Sequence, residues 1–510
     1  MSESNSQLRT GAFMSYVAIS FNIIAGLIYT PWMIKQIGKS DYGLYVLVTS
    51  FLSYFLLDFG LGSAIARFIS KYRLEKDDTK INELLGVTTK FYLFLNLIIL
   101  TCLIVAYFLI SYVFIELNSF ELEKFRVIYC IAGLFSILSF PFMPIDGVLI
   151  AYERFFILKF SDLIGKVGLI GLMIVALVLG YKLYALVFIN ALIGVLVILI
   201  KLIYISKNTS IRISFKFKSR ALLKELFTFS IWISVIGIAQ RLLINIVPTI
   251  LGRYSGTTQI ALFSVGIIIE GYTWTFAHAL NGLFLPMVSR INMEENNRNE
   301  ITALMIKVGR IQLIIMGILI IGIITLGKEF IVLWMGQEFE QSYFVVLLMI
   351  IPGIITLTQE IAYTYLFVVN ELKYRAILFI SASILSMTVG IVLAPHYGAI
   401  GCAIGIFIAT MLCHVLGMNY VYWKILKLDI PRFFKECYLT LLLPLISIGI
   451  IGFVINTYLP ASNLVEFMAK SALLALTYFT MVWFWAMKKH EKEMFVGIAS
   501  KILLVIKKNR

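Results

Sequence analysis

The chain has 510 residues, 60% of them hydrophobic and 14% charged, with a mean hydropathy of +0.94. A soluble domain is about 45–50% apolar and about 25% charged, so too few polar side chains exist to coat a water-soluble enzyme of this length. An all-α polytopic membrane protein is the expected class. The net charge of +15 would suit nucleic acid, but basic inner loops of a membrane protein account for it equally well. Cys102, Cys130, Cys402, Cys413 and Cys437 show no metal or disulfide spacing, and four histidines leave little room for a His-rich site. No metal or cofactor is implied.

A hydrocarbon core about 30 Å thick takes about 20 apolar residues per helix. Runs of that length fall at 11–34, 42–66, 91–115, 127–151, 155–180, 183–205, 226–251, 258–284, 303–326, 341–369, 374–393, 398–422, 437–459 and 464–488. With the N-terminus placed in the cytoplasm, only Lys35, Lys39, Lys124, Arg126, Lys182, Arg253 and Lys328 fall in outer loops. Lys166, Arg241 and Lys470 fall inside spans, and the rest of the 43 Lys and Arg lie on the inner side. This alternation predicts about 14 transmembrane helices with both termini cytoplasmic. The polar first ten residues do not lead into a cleavable signal, so the first span is expected to remain as an anchor. The tail from Lys488 to Arg510 is basic and half amphipathic, suited either to the anionic inner leaflet or to fraying.

Two segments look like copies of one another. Residues 28–63 and 245–284 each carry a proline near the outer end of a span (Pro31, Pro248), a Gly-containing turn, and an aromatic-bearing second helix. Such symmetry is a signature of two-lobed secondary transporters. It predicts an N-lobe at 1–205 with spans 1–6, a basic linker at 206–225, and a C-lobe at 226–422 with spans 7–12. Two further helices follow at 423–488, then a basic tail at 489–510. No G-x-x-x-x-G-K-[ST] loop is present, and no loop exceeds about 25 residues. An ATP-driven pump and an enzyme with a large extramembrane domain are therefore disfavoured.

Three stretches carry a family resemblance. PWMIKQIGKSDYGLYVLVTSFLSYFLLDFGLGSAIARFISKY (31–72), VLWMGQEFEQSYFVVLLMIIPG (332–353) and HYGAIGCAIG (396–405) resemble turns of bacterial polysaccharide repeat-unit flippases. These belong to the polysaccharide transporter branch of the multidrug, oligosaccharidyl-lipid and polysaccharide (MOP) exporter superfamily. The resemblance implies movement of an undecaprenyl-diphosphate-linked oligosaccharide from the inner to the outer leaflet of a bacterial cytoplasmic membrane. Two lobes rocking around a hydrated cavity would serve O-antigen, capsule or exopolysaccharide synthesis. H⁺ or Na⁺, a polymerase and chain-length proteins are possible partners; the reading is not enzymatic. The same fold serves peptidoglycan-precursor (lipid II) flippases and cation-coupled multidrug exporters, and both stay open here.

A diphosphate and its sugars cannot cross hydrocarbon bare, so charges inside spans are the pointers to a cavity. Arg241, mid-span seven, is the lead candidate for the diphosphate, with Glu270 of span eight as a switchable partner or proton carrier; a static ion pair is the structural alternative. Lys166 and Arg67 are further headgroup candidates, although Arg67 equally suits an interfacial, snorkelling arginine. Asp162 lies at i, i+4 from Lys166, a spacing that predicts a local salt bridge. Asp58 is either a cation or proton site or part of a turn. Asp146 follows Pro141 and Pro144 in a kinked span and suits a gate or an inner-end cap. Glu360 lies beyond a kink expected at Pro352-Gly353. Tyr272 and Trp274 near Glu270 offer ring faces for sugars. Lys470 is expected to snorkel, and His278 and His414 read as packing residues.

Overall fold

The computed structural model describes residues 2–54, 61–209, 211, 220–278, 284–293, 297–489 and 491–493. Asp58 lies outside them, as does the tail beyond 493, and the side chain of His278 is not among those described. No strand occurs among the described residues. Among the described residues nine helices are long and apolar enough to cross a membrane, or ten when one sharply bent pair is taken as a single span. One of these, Leu372–Lys424, contains Gly398 at φ 55°, ψ −130° and so joins two helical stretches across a turn. The chain is a multi-pass membrane protein.

The contacts divide it into two units. The first holds residues 1–264 and 375–409. It comprises α1 (Ser2–Ile37), α2 (Lys39–Ser53), α3 (Leu61–Leu74), α4 (Asp78–Val113), α5 (Ser119–Ser139), α6 (Ile145–Ala151), α7 (Phe155–Val178), α8 (Leu183–Asn208), α9 (Arg220–Tyr254) and the first two turns of α10 (Thr257–His278). Lipid exposure explains its composition. Helix α4 shows Phe94, Leu97 and Phe108 at 60–70% exposure, side chains that water would exclude and acyl chains accept. The expected break in span four is present: α5 ends at Ser139, a 3₁₀ turn Phe140–Phe142 contains Pro141, and α6 starts after Pro144.

The two proline-bearing segments share a backbone pattern. α1 runs through Pro31 to a turn at Gly38 (φ 88°), and α9 runs through Pro248 to a turn at Gly256 (φ 80°). Both glycines occupy the left-handed region that side-chain-bearing residues disfavour. The other quoted stretches also carry a positive-φ glycine, Gly336 and Gly398. These motifs are therefore backbone turns.

Helices α2 and α9 run antiparallel. At one end Gly43 lets α2 approach α10 so closely that a Cβ there would lie 2.1 Å from the Thr257 carbonyl oxygen. Around this contact Thr257 Oγ1 donates to Glu121 Oε1 at 2.8 Å, Glu121 forms a capping box with Asn118, and Lys124 pairs with Asp41 at 2.6 Å.

The second unit holds 265–374 and 410–510. The remainder of α10 is followed by α11 (Leu285–Ile291), α12 (Asn297–Met335), α13 (Ser342–Thr358) and α14 (Glu360–Val368). After the long helix α15 (Leu372–Ala409), most of which belongs to the first unit, come a π-helical stretch Thr410–Gly417, α16 (Met418–Lys424), α17 (Ile430–Phe433), α18 (Thr440–Tyr458) and α19 (Leu464–Met481). Helix α12 is the axis of this unit, with more than half of its most apolar stretch buried against α13, α18 and α19. The kink expected at Pro352-Gly353 is displaced. α13 continues through Pro352, and the 57° bend comes at Gln359 (φ −105°, ψ 21°), where α14 begins.

Candidate functional site

In the first unit α2 ends at Ser53, and the last carbonyls of a helix find no partner in a next turn of that helix. Arg241 of α9 fills that gap: its Nη1 donates to the Ser53 carbonyl at 2.8 Å, where the negative end of the helix dipole favours a cation. Four residues on, Asn245 Nδ2 donates to Ser53 Oγ at 2.8 Å. The Tyr54 hydroxyl donates to the Asn245 carbonyl and lies 3.3 Å from Thr249 Oγ1. Arg241 is half-buried.

The charges of α6, α7 and α8 are arranged differently from the i, i+4 expectation. Asp162 does not pair with Lys166. Lys201 of α8, only 6% exposed, places its Nζ 2.9 Å from Asp162 Oδ1 and 2.9 Å from Asp146 Oδ1. The rotation of α7 against α8 decides this. Gly165 packs against Val197, where a Cβ would meet the Val197 Cγ2 at 2.6 Å, and this close approach turns Asp162 toward Lys201. Lys166 is left exposed, with no ion-pair or hydrogen-bond partner among the described residues. Asp146 is thus a ligand of Lys201 rather than an isolated carboxylate. Arg67, on α3, is exposed. An apolar groove between α4 and α5, about 340 Å³ and lined by Leu100, Tyr107, Tyr129 and Cys130 among others, suits an acyl chain rather than a headgroup.

In the second unit Glu270 is half-buried on α10 and accepts from Trp274 Nε1 at 3.3 Å, one helical turn away. Tyr272 is also half-buried. Arg241 and Glu270 belong to different units. Glu360 opens α14 directly after the bend, a position where the helix dipole favours a carboxylate. Next to it, Gln359 Nε2 donates to Asn419 Oδ1 at 2.7 Å. His414 sits in the π-helical stretch.

Lys470 does not snorkel. At 5% exposure it is paired with Glu329 and donates to Asn456 Oδ1 at 2.6 Å, because α12, α18 and α19 converge around it. Sequence reasoning also missed three partners: Lys201 as the centre of a three-helix cluster, the Arg310–Glu491 pair, and Asn190 of α8, whose Nδ2 donates to the Tyr45 hydroxyl at 3.1 Å. The available signal was a polar residue within a strongly apolar stretch of helix, which Asn190 and Lys201 of α8 both are.

The family described as "Polysaccharide biosynthesis protein" matches residues 8–291, more than half of the chain. The chain belongs to that family. No curated protein sequence is significantly similar to it. Among solved structures, this polysaccharide biosynthesis family member is similar to the lipid II flippase MurJ in an inward closed conformation, with TM-score 0.68, 16% identity, and 92% of this chain and 97% of that one covered. It is similar to an inward-facing multidrug resistance MATE family transporter of the MOP superfamily, with TM-score 0.66, 15% identity, and 82% and 99% covered. A MOP superfamily transporter from Pyrococcus furiosus follows at TM-score 0.53, 15% identity, and 82% and 94% covered. At these identities the likeness is one of fold. The protein is a polysaccharide-family member with the MOP transporter fold, as the quoted turn motifs led us to expect.

Proposed function

We propose that this protein is a flippase that carries an undecaprenyl-diphosphate-linked oligosaccharide repeat unit from the inner to the outer leaflet of a bacterial cytoplasmic membrane. The product feeds surface-polysaccharide assembly. The family match supports a saccharide substrate, and one observation carries the site: Arg241, a half-buried guanidinium held at the end of α2 on a membrane-embedded helix. A cation there offers planar donors to a diphosphate that hydrocarbon would reject. The polyprenyl tail stays in the bilayer.

Fourteen spans with both termini inside, and lobes at 1–205 and 226–422 that alternate access, complete the reading. Lys166 and Arg67 receive the headgroup at the inner mouth. Tyr272 and Trp274 offer ring faces, and Glu270, Asp58, Glu360 or Asp146 links the cycle to H⁺ or Na⁺. A polymerase and chain-length proteins take the product.

A lipid II flippase is the second reading, favoured by the more complete match to MurJ, 92% of this chain against 82% for the exporter. The test is headgroup translocation in proteoliposomes, with a lipid-linked oligosaccharide from the source cell and with lipid II as separate substrates. The wild type is expected to flip the former, and Arg241→Ala to slow it at least tenfold at equal folded yield. Flipping of lipid II alone selects the second reading. Failure with both substrates under every ion gradient tried overturns both readings and leaves drug export.

A further inference from the structure

Helices α2 and α9 carry matching polar rows. On α2, Tyr45, Thr49 and Ser53 recur every four residues; on α9, Arg241, Asn245 and Thr249 do the same. Side chains at that spacing share one helix face. All six are half-buried. The opposite faces are apolar and closed, with Leu44, Leu47 and Val48 on α2 and Val247 and Leu251 on α9 at 0–1% exposure. The rows lie against each other, since Arg241 and Asn245 both bond to Ser53 and the Tyr54 hydroxyl reaches Thr249.

Two further helices add polar groups at the Tyr45 end of α2. Asn190 of α8 donates to the Tyr45 hydroxyl at 3.1 Å. Tyr29 of α1, close enough to Tyr45 for their phenols to interact electrostatically, buries its hydroxyl with no hydrogen-bond partner among the described residues. Its ring packs beside Trp32, centroids 6.1 Å apart. A buried hydroxyl left unpaired is unfavourable by about 1–3 kcal/mol, which a ligand or water would relieve.

A half-exposed polar row on a membrane-spanning helix is not stable against acyl chains. The exposed positions of α4 show the contrast, being mostly apolar (Leu93, Phe94, Leu97, Ile104 and Phe108), with Thr101 returning its hydroxyl to the Leu97 carbonyl at 3.0 Å. Although Thr49 and Ser53 also bond back to α2, the seam's partial exposure fits a polar, hydrated space better than acyl chains. Its chemistry is selective: hydroxyls, carboxamides and phenols along its length, one guanidinium at one end, and no carboxylate among the seam residues. That array pairs with neutral polyhydroxyl groups attached to a single anionic end.

We infer that the α2–α9 seam is a glycan-binding track. The anionic end of the headgroup sits at Arg241, and the sugars lie along Asn245, Thr249 and Tyr45 toward Asn190, Tyr29 and Trp32. The inference deepens the proposed function and rests on it, because it assigns the sugar-reading residues of that same transport cycle.

The test compares two probes in proteoliposomes: undecaprenyl diphosphate bearing a neutral oligosaccharide repeat unit, and the same lipid bearing one sugar. The readout is the ratio of the two translocation rates. Tyr45→Phe, Thr249→Val and Asn190→Ala are expected to lower that ratio roughly three- to tenfold each, the loss of one hydrogen bond. Thr249→Ser, which keeps the hydroxyl, is expected to restore it. Arg241→Ala is expected to slow both probes and leave the ratio within about twofold of wild type. If the wild type moves both probes and the seam variants leave the ratio unchanged, the track is overturned while the flippase reading stands. If the wild type moves neither probe, the flippase reading fails and the track falls with it. A variant recovered unfolded is replaced by another that removes the same group, Asn190→Leu or Thr249→Ala, read by the same ratio.

Discussion

Arg310 of α12 and Glu491 form a buried ion pair, with Arg310 Nε 2.6 Å from Glu491 Oε1 and both residues at or below 1% exposure. The guanidinium also donates to the carbonyls of Glu436 at 2.9 Å and Ala486 at 2.8 Å and to the Thr440 hydroxyl, and the Lys488 amide donates to Glu491 Oε2 at 2.8 Å. Three segments far apart in sequence, around 310, 436–440 and 486–491, thus close around one charge. Removing either partner leaves a buried charge uncompensated, which destabilises by about 3–5 kcal/mol. Glu491→Ala is expected to lower the thermal unfolding temperature in detergent sharply. The double change Arg310→Met with Glu491→Leu is expected to recover most of the loss. A Glu491→Ala protein as stable as wild type would show that the pair is not closed in solution.

Lys201 is the hub of a second cluster, whereas Asp146 and Asp162 each have about half of their side chains exposed. Loss of the hub strands two carboxylates beside each other, while loss of one carboxylate leaves the other paired. Lys201→Met is therefore expected to destabilise the protein by about 1–3 kcal/mol, and Asp146→Asn by less, because solvent screens an exposed partner. Thermal unfolding of the two variants side by side checks the order; equal losses contradict it.

Gly43 is needed for clearance. A methyl group there would meet the Thr257 carbonyl oxygen 2.1 Å from its Cβ, and backbone cannot rotate away as a side chain does. Gly43→Ala is expected to force α2 and α10 apart and lower stability by about 1–3 kcal/mol. Gly271→Ala, whose Cβ meets nothing within 4 Å, serves as control.

Asp77 caps α4 outside the membrane, accepting from the Lys80 amide at 3.0 Å and pairing with its ammonium at 3.1 Å. The amide bond, foremost, and the neighbouring ammonium hold the carboxyl below its ordinary range. A depressed folded value means the cap contributes fully above the unfolded carboxyl's range and is lost as pH falls through the folded value. Amide exchange in the first turn of α4 is expected to quicken in that acid window in the wild type. In Asp77→Asn, which keeps the acceptor but cannot titrate, it should follow only the intrinsic pH dependence. The same acid-induced loss of protection in both proteins would rule the cap out as its origin.

The amino-acid sequence by itself determined the membrane class, the order of apolar helices and the turn positions. Run length, loop charge and glycine or proline placement are local properties, readable along one dimension. Thus the prolines at 141 and 144 break their span where expected, and Gly38, Gly256, Gly336 and Gly398 all sit at positive φ. Only the tertiary structure decided which ionisable groups meet. Asp162 turned from Lys166, four residues away, to Lys201, and Arg310 found Glu491 at a separation of 181 residues. Lys470 found Glu329 at 141, and the bend awaited at Pro352 moved to Gln359. Such pairings depend on the rotation and depth of each helix against its neighbours, set by the close packing of small residues such as Gly43 and Gly165. No periodicity within a single helix encodes that choice.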